Sequence, residues 1–248
     1  MYVYSIMKAQ ILSDIHLEYL KEIPDNIEPK CDLLILPGDI INKSSSLSEQ
    51  FLEYVNNNWK NVFIVLGNHE YYNMDSKTKT SYDEFKKYYS RLFSNYKNIT
   101  FLDKTITTYN GRRIIGCTLW SKILDQDAYL LKNIYDDNGE KIDTTFIQDI
   151  YKEESLWLKE NMKCNDIVIT HYPTTRHKTS HPKFKNQTPV SHSCVSTELK
   201  ANVKNCVFIC GHTHYSFDFE LDNNRYISNQ KGYENENAKF DANKVYDI

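Results

Sequence analysis

Five short apolar runs punctuate the chain: Ile11-Leu12, Leu33 to Leu36, Val62 to Leu66, Ile167 to Ile169 and Val207 to Ile209. They are rich in Ile, Val and Leu, lack helical spacing, and therefore read as buried strands. Between the second and third, Leu47, Phe51, Leu52, Val55 and Trp59 fall at helical spacing behind the serine-rich stretch Ser44 to Ser48, which offers caps. Tyr82, Phe85, Tyr89, Leu92, Phe93 and Tyr96 mark a second, longer helix whose aromatic stripe belongs to a core. Residues 99–119 carry short β-like pieces around Asn110-Gly111, a pair that tolerates positive φ and so predicts a hairpin. A third helix is expected near Gln148 to Met162, burying Ile150, Leu156, Trp157 and Met162. Phe217 to Leu221 and Arg225 to Ile227, flanking Asp222-Asn223-Asn224, predict a terminal hairpin. Strands alternate with helices and no Gly/Ser or Pro-rich linker intervenes, so the reading is one α/β domain over residues 1–248.

Composition changes this picture little. A hydrophobic fraction of 40% and an aromatic fraction of 13%, with 19 Tyr and 11 Phe, suffice for a sizeable core. The formal charge of −3, from 30 basic and 33 acidic residues, provides no bulk attraction to nucleic acid or anionic lipid, so an anionic partner must be held by a local site. No apolar run approaches the roughly 20 residues of a membrane span, and Met1 to Met7 lacks the features of a secretory signal; the expectation is a cytoplasmic protein. The six Cys include no C-x-x-C pair and are expected to be reduced.

The polar residues just beyond each apolar run carry the chemistry. Asp14 and His16 come after the first, Asp39 after the second, Asn68 and His69 after the third, His171 after the fourth, and His212 and His214 after the fifth. In open α/β sheets ligands collect beyond the carboxyl ends of strands, so these side chains are expected to converge on a metal site. In extended conformation, Asp14-x-His16 projects both groups to one side, and Gly211-His212-x-His214 does the same for two imidazoles. A donor set of carboxylate, amide oxygen and imidazole without thiolate suits Mn, Fe or Zn, with Mn expected to support activity in vitro. The donors outnumber one tetrahedral shell, which points to two divalent ions. Directly after His171, the segment 173–195 gathers Arg176, His177, Lys178, His181, Lys183, Lys185 and His192. This basic cluster is either a substrate-binding loop, with Arg176, His177 and Lys178 gripping an anion, or a solvated loop. Residues 121–145, with their turn Asp137-Asn138-Gly139, either cover the site or decorate an edge.

Asp14-x-His16, Gly38-Asp39, Gly67-Asn68-His69-Glu70, His171 and Gly211-His212-Thr213-His214, in this order, resemble the signature of the calcineurin-like metallophosphoesterases. Gly67 to Tyr72, Thr118 to Ser121, Thr170 to Pro173 and the tail from Ser228 to Asp241 resemble bacterial-type single-domain members. The resemblance implies a four-layer α-β-β-α sandwich of two mixed sheets flanked by helices. It also implies Asp14, His16, Asp39 and His214 at one metal and Asp39, Asn68, His171 and His212 at the other, with Asp39 as the bridge. A water activated between the ions would attack phosphorus, and His69 would stabilise or protonate the leaving oxygen, with Asn68 also touching substrate.

Two departures limit the likeness. The protein phosphatases place an Arg-bearing segment after their Gly-Asp, whereas Asp39 precedes Ile40-Ile41-Asn42-Lys43, which argues against protein phosphatase activity. Tyr172 stands where relatives often have a second His, so contacts behind the metal or to the leaving group are expected to differ. The expected substrate is a phosphorylated small molecule or nucleotide. The alternatives are a nuclease, which would need a basic track, and a non-catalytic scaffold, which would have lost ligands.

Overall fold

The computed structural model describes residues 6–75, 77–184, 199, 202–234, 236 and 239–248. Among them the chain forms, in order, β1 (Lys8–Ile11), β2 (Leu33–Leu36), α1 (Leu47–Asn58), β3 (Asn61–Ile64), α2 (Tyr82–Phe93), β4 (Ile99–Phe101), β5 (Thr105–Tyr109) and β6 (Arg112–Cys117). Next come α3 (Thr144–Asn161), β7 (Ile167–Thr170), β8 (Val207–Ile209), β9 (Phe217–Leu221), β10 (Asn224–Ser228) and β11 (Val245–Asp247). Each of the five apolar runs falls on a strand, with Leu12, Val65 and Leu66 just past the ends of β1 and β3. They divide between two sheets, one ordered β11-β1-β2-β3-β4 and the other β5-β6-β7-β8-β10-β9. The runs pair in parallel within each sheet, β1 with β2 and β2 with β3 in the first, β7 with β8 in the second, while β11, β5 and β9 join antiparallel.

Alternation along the strands sets the layers. Ala9, Ile11, Leu33, Ile35 and Phe63 of the first sheet meet Ile114, Ile167, Ile169, Val207 and Ile209 of the second in one buried cluster. The opposite face of the first sheet, Leu34, Leu36, Val62 and Ile64, packs under Phe51, Leu52 and Val55 of α1 and Phe85 and Tyr89 of α2. Ile115, Cys117, Val168 and Phe208, on the outer face of the second sheet, pack with Leu158 of α3. Three apolar interfaces separate four layers, α-β-β-α, as expected.

Local sequence explains most element boundaries. Ser81 and Glu84 form a reciprocal capping box at the start of α2, and Asn110 and Gly111 take the positive φ values, 49° and 78°, that the β5–β6 hairpin needs. The serine cap of α1 is displaced. Ser46 occupies the cap position without a side-chain bond, while the Ser45 hydroxyl accepts from Leu47 N. The third helix also differs, starting at Thr144 behind the Asp143 cap and burying Ile147 and Leu158, whereas Leu156 is exposed. The row 147, 154, 158 faces inward, Leu158 against the second sheet and Ile147 in the cluster with Trp120 and Tyr172, and Leu156 sits on the opposite side of the turn. Cys31, Cys117, Cys164, Cys206 and Cys210 are free thiols, and no helix among the described residues is long and apolar enough to cross a membrane.

Candidate metal centre

The carboxyl ends of β1, β2 and β3 in one sheet and of β7 and β8 in the other point toward the same end of the sandwich, and the donors sit in the loops just past them. Those loops turn more sharply than extended backbone allows. Asp14 (φ 52°), His16 (54°), Asp39 (53°), His212 (74°) and His214 (50°) are all left-handed. This corrects the expectation that Asp14-x-His16 and His212-x-His214 align their side chains by strand alternation. A left-handed non-glycine residue costs about 1–3 kcal/mol and persists only where its surroundings over-determine it. The surroundings here are backbone bonds tying loop to loop: Asp14 N to Gly38 O at 3.1 Å, His16 N to Asp39 O at 3.0 Å, Gly211 N to His171 O at 2.9 Å and Gly232 N to Asp14 O at 3.0 Å. Gly38 (φ 89°) permits the closest approach, since a Cβ there would stand 2.6 Å from both Gly67 N and His171 Nδ1.

Glu70 fastens the second and third loops together. Its fully buried carboxylate accepts from Gly67 N at 2.7 Å, Asp39 N at 3.1 Å, Ile40 N at 2.8 Å and Ile41 N at 3.2 Å. Burial and the adjacent Asp39 charge push its carboxyl up to about 8, with His171 and the N–H donors pulling it back.

The donors form two groups that share Asp39. In one, His214 Nε2 lies 3.1 Å from His16 Nε2 and 3.4 Å from Asp14 Oδ1, and His16 Nε2 lies 3.9 Å from Asp39 Oδ2. In the other, Asn68 Oδ1 lies 3.0 Å from both His171 Nε2 and His212 Nδ1, which are 3.2 Å apart, and His171 Nε2 lies 3.4 Å from Asp39 Oδ2. Donor atoms held about 2.1 Å from one cation are separated by about 3.0–3.4 Å along the edges of an octahedron or tetrahedron, which most of these spacings match. The neighbours His212 and His214 thus fall in different groups. His69 also lies within donor reach of His16 and Asp39. Its Nδ1, however, is engaged by Glu18 and its Nε2 meets the Tyr233 hydroxyl at 3.2 Å.

The far sides of the imidazoles show how the set is prepared. His171 Nδ1 donates to Pro37 O at 2.8 Å, His16 Nδ1 to Glu18 Oε1 at 3.0 Å, and His214 Nδ1 to Glu236 Oε2. Each acceptor selects the tautomer whose Nε2 lone pair faces the shared space, as in metal-binding histidines. Lone pairs facing each other, as on His16 and His214 Nε2 at 3.1 Å, repel unless a proton or metal lies between them, and with His171, His212 and Asn68 converging within 3.0–3.2 Å in the second group the residues fit divalent metal. The electrostatics agree. Burial alone would raise Asp39 and Asp14, but His171, His69 and His16 hold Asp39 well below the usual carboxylate range, and His214 and His171 hold Asp14 below it. Burial would lower His171, yet Asp39, Asp14 and Glu70 lift it to about 9. For His69 the charges of Asp39, Glu18 and Glu70 likewise outweigh burial. Ionised aspartates in a dry pocket attract positive charge, proton or metal.

Glu18 is a residue of this centre that strand-end reasoning missed. One oxygen accepts from both His16 and His69, the latter at 2.8 Å, while Oε2 is buried with no hydrogen-bond partner among the described residues. Its position two residues after His16, extending Asp-x-His to Asp-x-His-x-Glu, was the available signal. Tyr233 and Glu236 carried none, because they reach the site from a tail far along the chain.

Asp39, Asn68, His69, His212 and His214 open onto a cavity of about 270 Å³, and Ser121, Ile123, Leu131 and Lys132 from the 121–145 segment contribute to its wall. Arg176, His177 and Lys178 are exposed and do not line it. The His177 ring packs on Phe219, and Lys178 borders a separate cavity with Tyr215 and Phe217. Residues 185–195 of that basic segment lie outside the described residues.

Comparison with known proteins gives concordant matches. The family model described as calcineurin-like phosphoesterase matches residues 7–216. An uncharacterized protein of Acanthamoeba polyphaga mimivirus is 28% identical over 96% of this chain and 95% of its own length. Among solved structures, a phosphopantetheinyl hydrolase from Mycobacterium tuberculosis superposes with a TM-score of 0.60 at 16% identity, covering 93% of this chain and 91% of that one.

Proposed function

The chain belongs to the calcineurin-like phosphoesterase family, and from that premise we propose that it is a two-metal hydrolase of a small phosphomonoester or phosphodiester. The observation that carries this reading is the pair of donor groups meeting at Asp39 Oδ2 beside His69. Asp14, His16, Asp39 and His214 would hold one ion, and Asp39, Asn68, His171 and His212 the other. When bound, the ions supply an acidified water and positive charge against the phosphoryl oxygens.

The protein's own groups do the rest. Asp39 is fixed by the His69 backbone N–H, which donates to Oδ1 at 2.8 Å and leaves Oδ2 free to be shared. His69 Nδ1 is held by Glu18, so the proton available for transfer is the one on Nε2, the nitrogen at the cavity. Water adds its oxygen to phosphorus as the ester P–O bond breaks. The departing alcohol oxygen takes the Nε2 proton, and a proton released from the water restores His69. The Tyr233 hydroxyl, 3.2 Å from Nε2, shows that this nitrogen is within hydrogen-bond reach of an oxygen on the cavity side. A scaffold protein has no use for a left-handed, buried and pre-oriented donor set.

The test is reconstitution with Mn, Fe or Zn, then elemental analysis and assay on generic mono- and diesters. Two ions per chain with turnover, highest with Mn, is the expected result, and Asp39→Asn should lower the occupancy of both ions. Absence of turnover on every ester at full metal loading would overturn the proposal, and Asp39→Asn retaining both ions would remove Asp39 as the bridge.

A further inference from the structure

On the side away from the metal donors, the cavity wall is apolar. Trp120, Ile123, Ile147 and Tyr172 line it and are 2, 4, 1 and 5% exposed, with Leu131 and Tyr72 beside them. This wall is fixed: Trp120 N donates to Glu154 Oε2 at 3.1 Å and Trp120 Nε1 to the Tyr82 hydroxyl at 3.2 Å. Both N–H groups of the tryptophan are therefore spent behind the wall, and this side of the chamber is mostly hydrocarbon and ring faces, with Ser121 its one aliphatic hydroxyl among the described lining residues. Apart from the histidines, Lys132 is the one cation among the described lining residues, and it is exposed at the rim. His69 sits in the same wall with its ring 4.6 Å from that of Tyr72.

We propose that this chamber receives the alcohol half of the phosphoester as the leaving group, and that this alcohol is an uncharged aryl or short branched-alkyl group. The inference rests on the phosphoesterase reading and specifies its substrate class. At about 30 Å³ per displaced water, 270 Å³ holds roughly nine waters' worth of ligand, enough for a phosphoryl group and one ring with a small substituent. A sugar-like alcohol would surrender more hydration against Trp120, Ile123, Leu131 and Ile147 than the few polar groups of the lining can replace, whereas an apolar one gains about fourfold in affinity per buried methylene.

The experiment uses the metal-loaded protein with phenyl, 4-methylphenyl, 4-ethylphenyl, 4-butylphenyl and 4-carboxyphenyl phosphate, whose leaving groups are of similar acidity, and with glycerol phosphate. Calorimetry with the matching benzylphosphonates reads binding without turnover. The expected result is kcat/KM and phosphonate affinity rising severalfold per carbon from hydrogen to ethyl, falling at butyl, and at least tenfold lower for the carboxylate and glycerol compounds. Leu131→Ala and Ile123→Ala should flatten the hydrogen-to-ethyl increment. A flat series in both turnover and binding, or preference for glycerol phosphate, overturns the inference while leaving a phosphoesterase in place. Graded phosphonate binding with no hydrolysis of any ester would sustain the apolar chamber and sink the enzymatic reading instead. The wild-type series decides the matter even where a variant does not fold.

Discussion

Replacing Glu18 by Gln isolates the contribution of one buried carboxylate to proton transfer. Glu18 Oε1 accepts from His69 Nδ1 at 2.8 Å and from His16 Nδ1 at 3.0 Å in a position where the side chain is 1% exposed. Gln preserves the length and one acceptor oxygen but removes the charge that favours a protonated His69. Hydrogen bonds to charged groups are worth about 1.5–3 kcal/mol, so losing the charged partner should lower kcat about 10- to 100-fold where the leaving oxygen needs a proton. For an ester with a good leaving group, which departs unprotonated, the loss should stay below about threefold, because general acid assistance contributes little there. The assay is kcat and KM for a 4-nitrophenyl and an alkyl phosphate on wild-type and Glu18→Gln proteins, each with its metal content measured. KM should move by less than about twofold, since Glu18 does not line the chamber and an interaction made chiefly in the transition state lowers kcat without raising KM. Equal losses on both esters with two ions retained would refute a role through the His69 proton, and loss of an ion in proportion to activity would assign Glu18 to His16 alone.

The geometry sets three further outcomes. Gly67→Ala places a Cβ 2.6 Å from Asp39 N and 2.7 Å from His171 Cε1; it should cost about 1–3 kcal/mol by overpacking, read as a lowered Tm together with reduced metal content. Burial raises the Glu154 carboxyl from 4.5 to about 7, outweighing the Trp120 N–H that donates to it and pulls it down. Its neutral form thus favours the fold fully below pH 4.5, and that contribution is lost as pH rises through about 7. Glu154→Gln should therefore abolish a decline of about 3 kcal/mol in unfolding free energy between about pH 4.5 and 8, measured by denaturant titration; parallel wild-type and variant profiles would disprove the assignment. Arg176→Ala combined with Lys178→Ala should leave KM for a small ester within about twofold, as neither side chain lines the chamber; a rise several times larger than the fall in kcat would return that loop to the substrate.

Much of this protein was legible in one dimension because strand burial and donor placement are local. Five apolar runs of Ile, Val and Leu predict strands whatever surrounds them, and the Asp, Asn and His residues just beyond each run identify the end of the sandwich where chemistry collects. The aromatic stripe from Tyr82 to Phe93 and the Asn110-Gly111 turn are legible for the same reason, since periodicity and backbone preference act over a few residues. Leu156 shows the limit: helical spacing admits more than one face, and only the facing sheet chooses.

Sequence by itself determined which Asp, Asn and His side chains stand beyond the strands and in what order, because that depends on side-chain chemistry and on where strands stop. How these side chains group was implied by the family resemblance, but no local pattern gives the reason, which lies in the tertiary structure. His212 and His214 part company because left-handed backbone at both turns their imidazoles into different groups. Glu18 and Tyr233 meet at His69, and Trp120, Ile147 and Tyr172 join in one wall, because loops distant in sequence converge where the two sheets end. Contacts of that range depend on the simultaneous position of many elements, which no local pattern encodes.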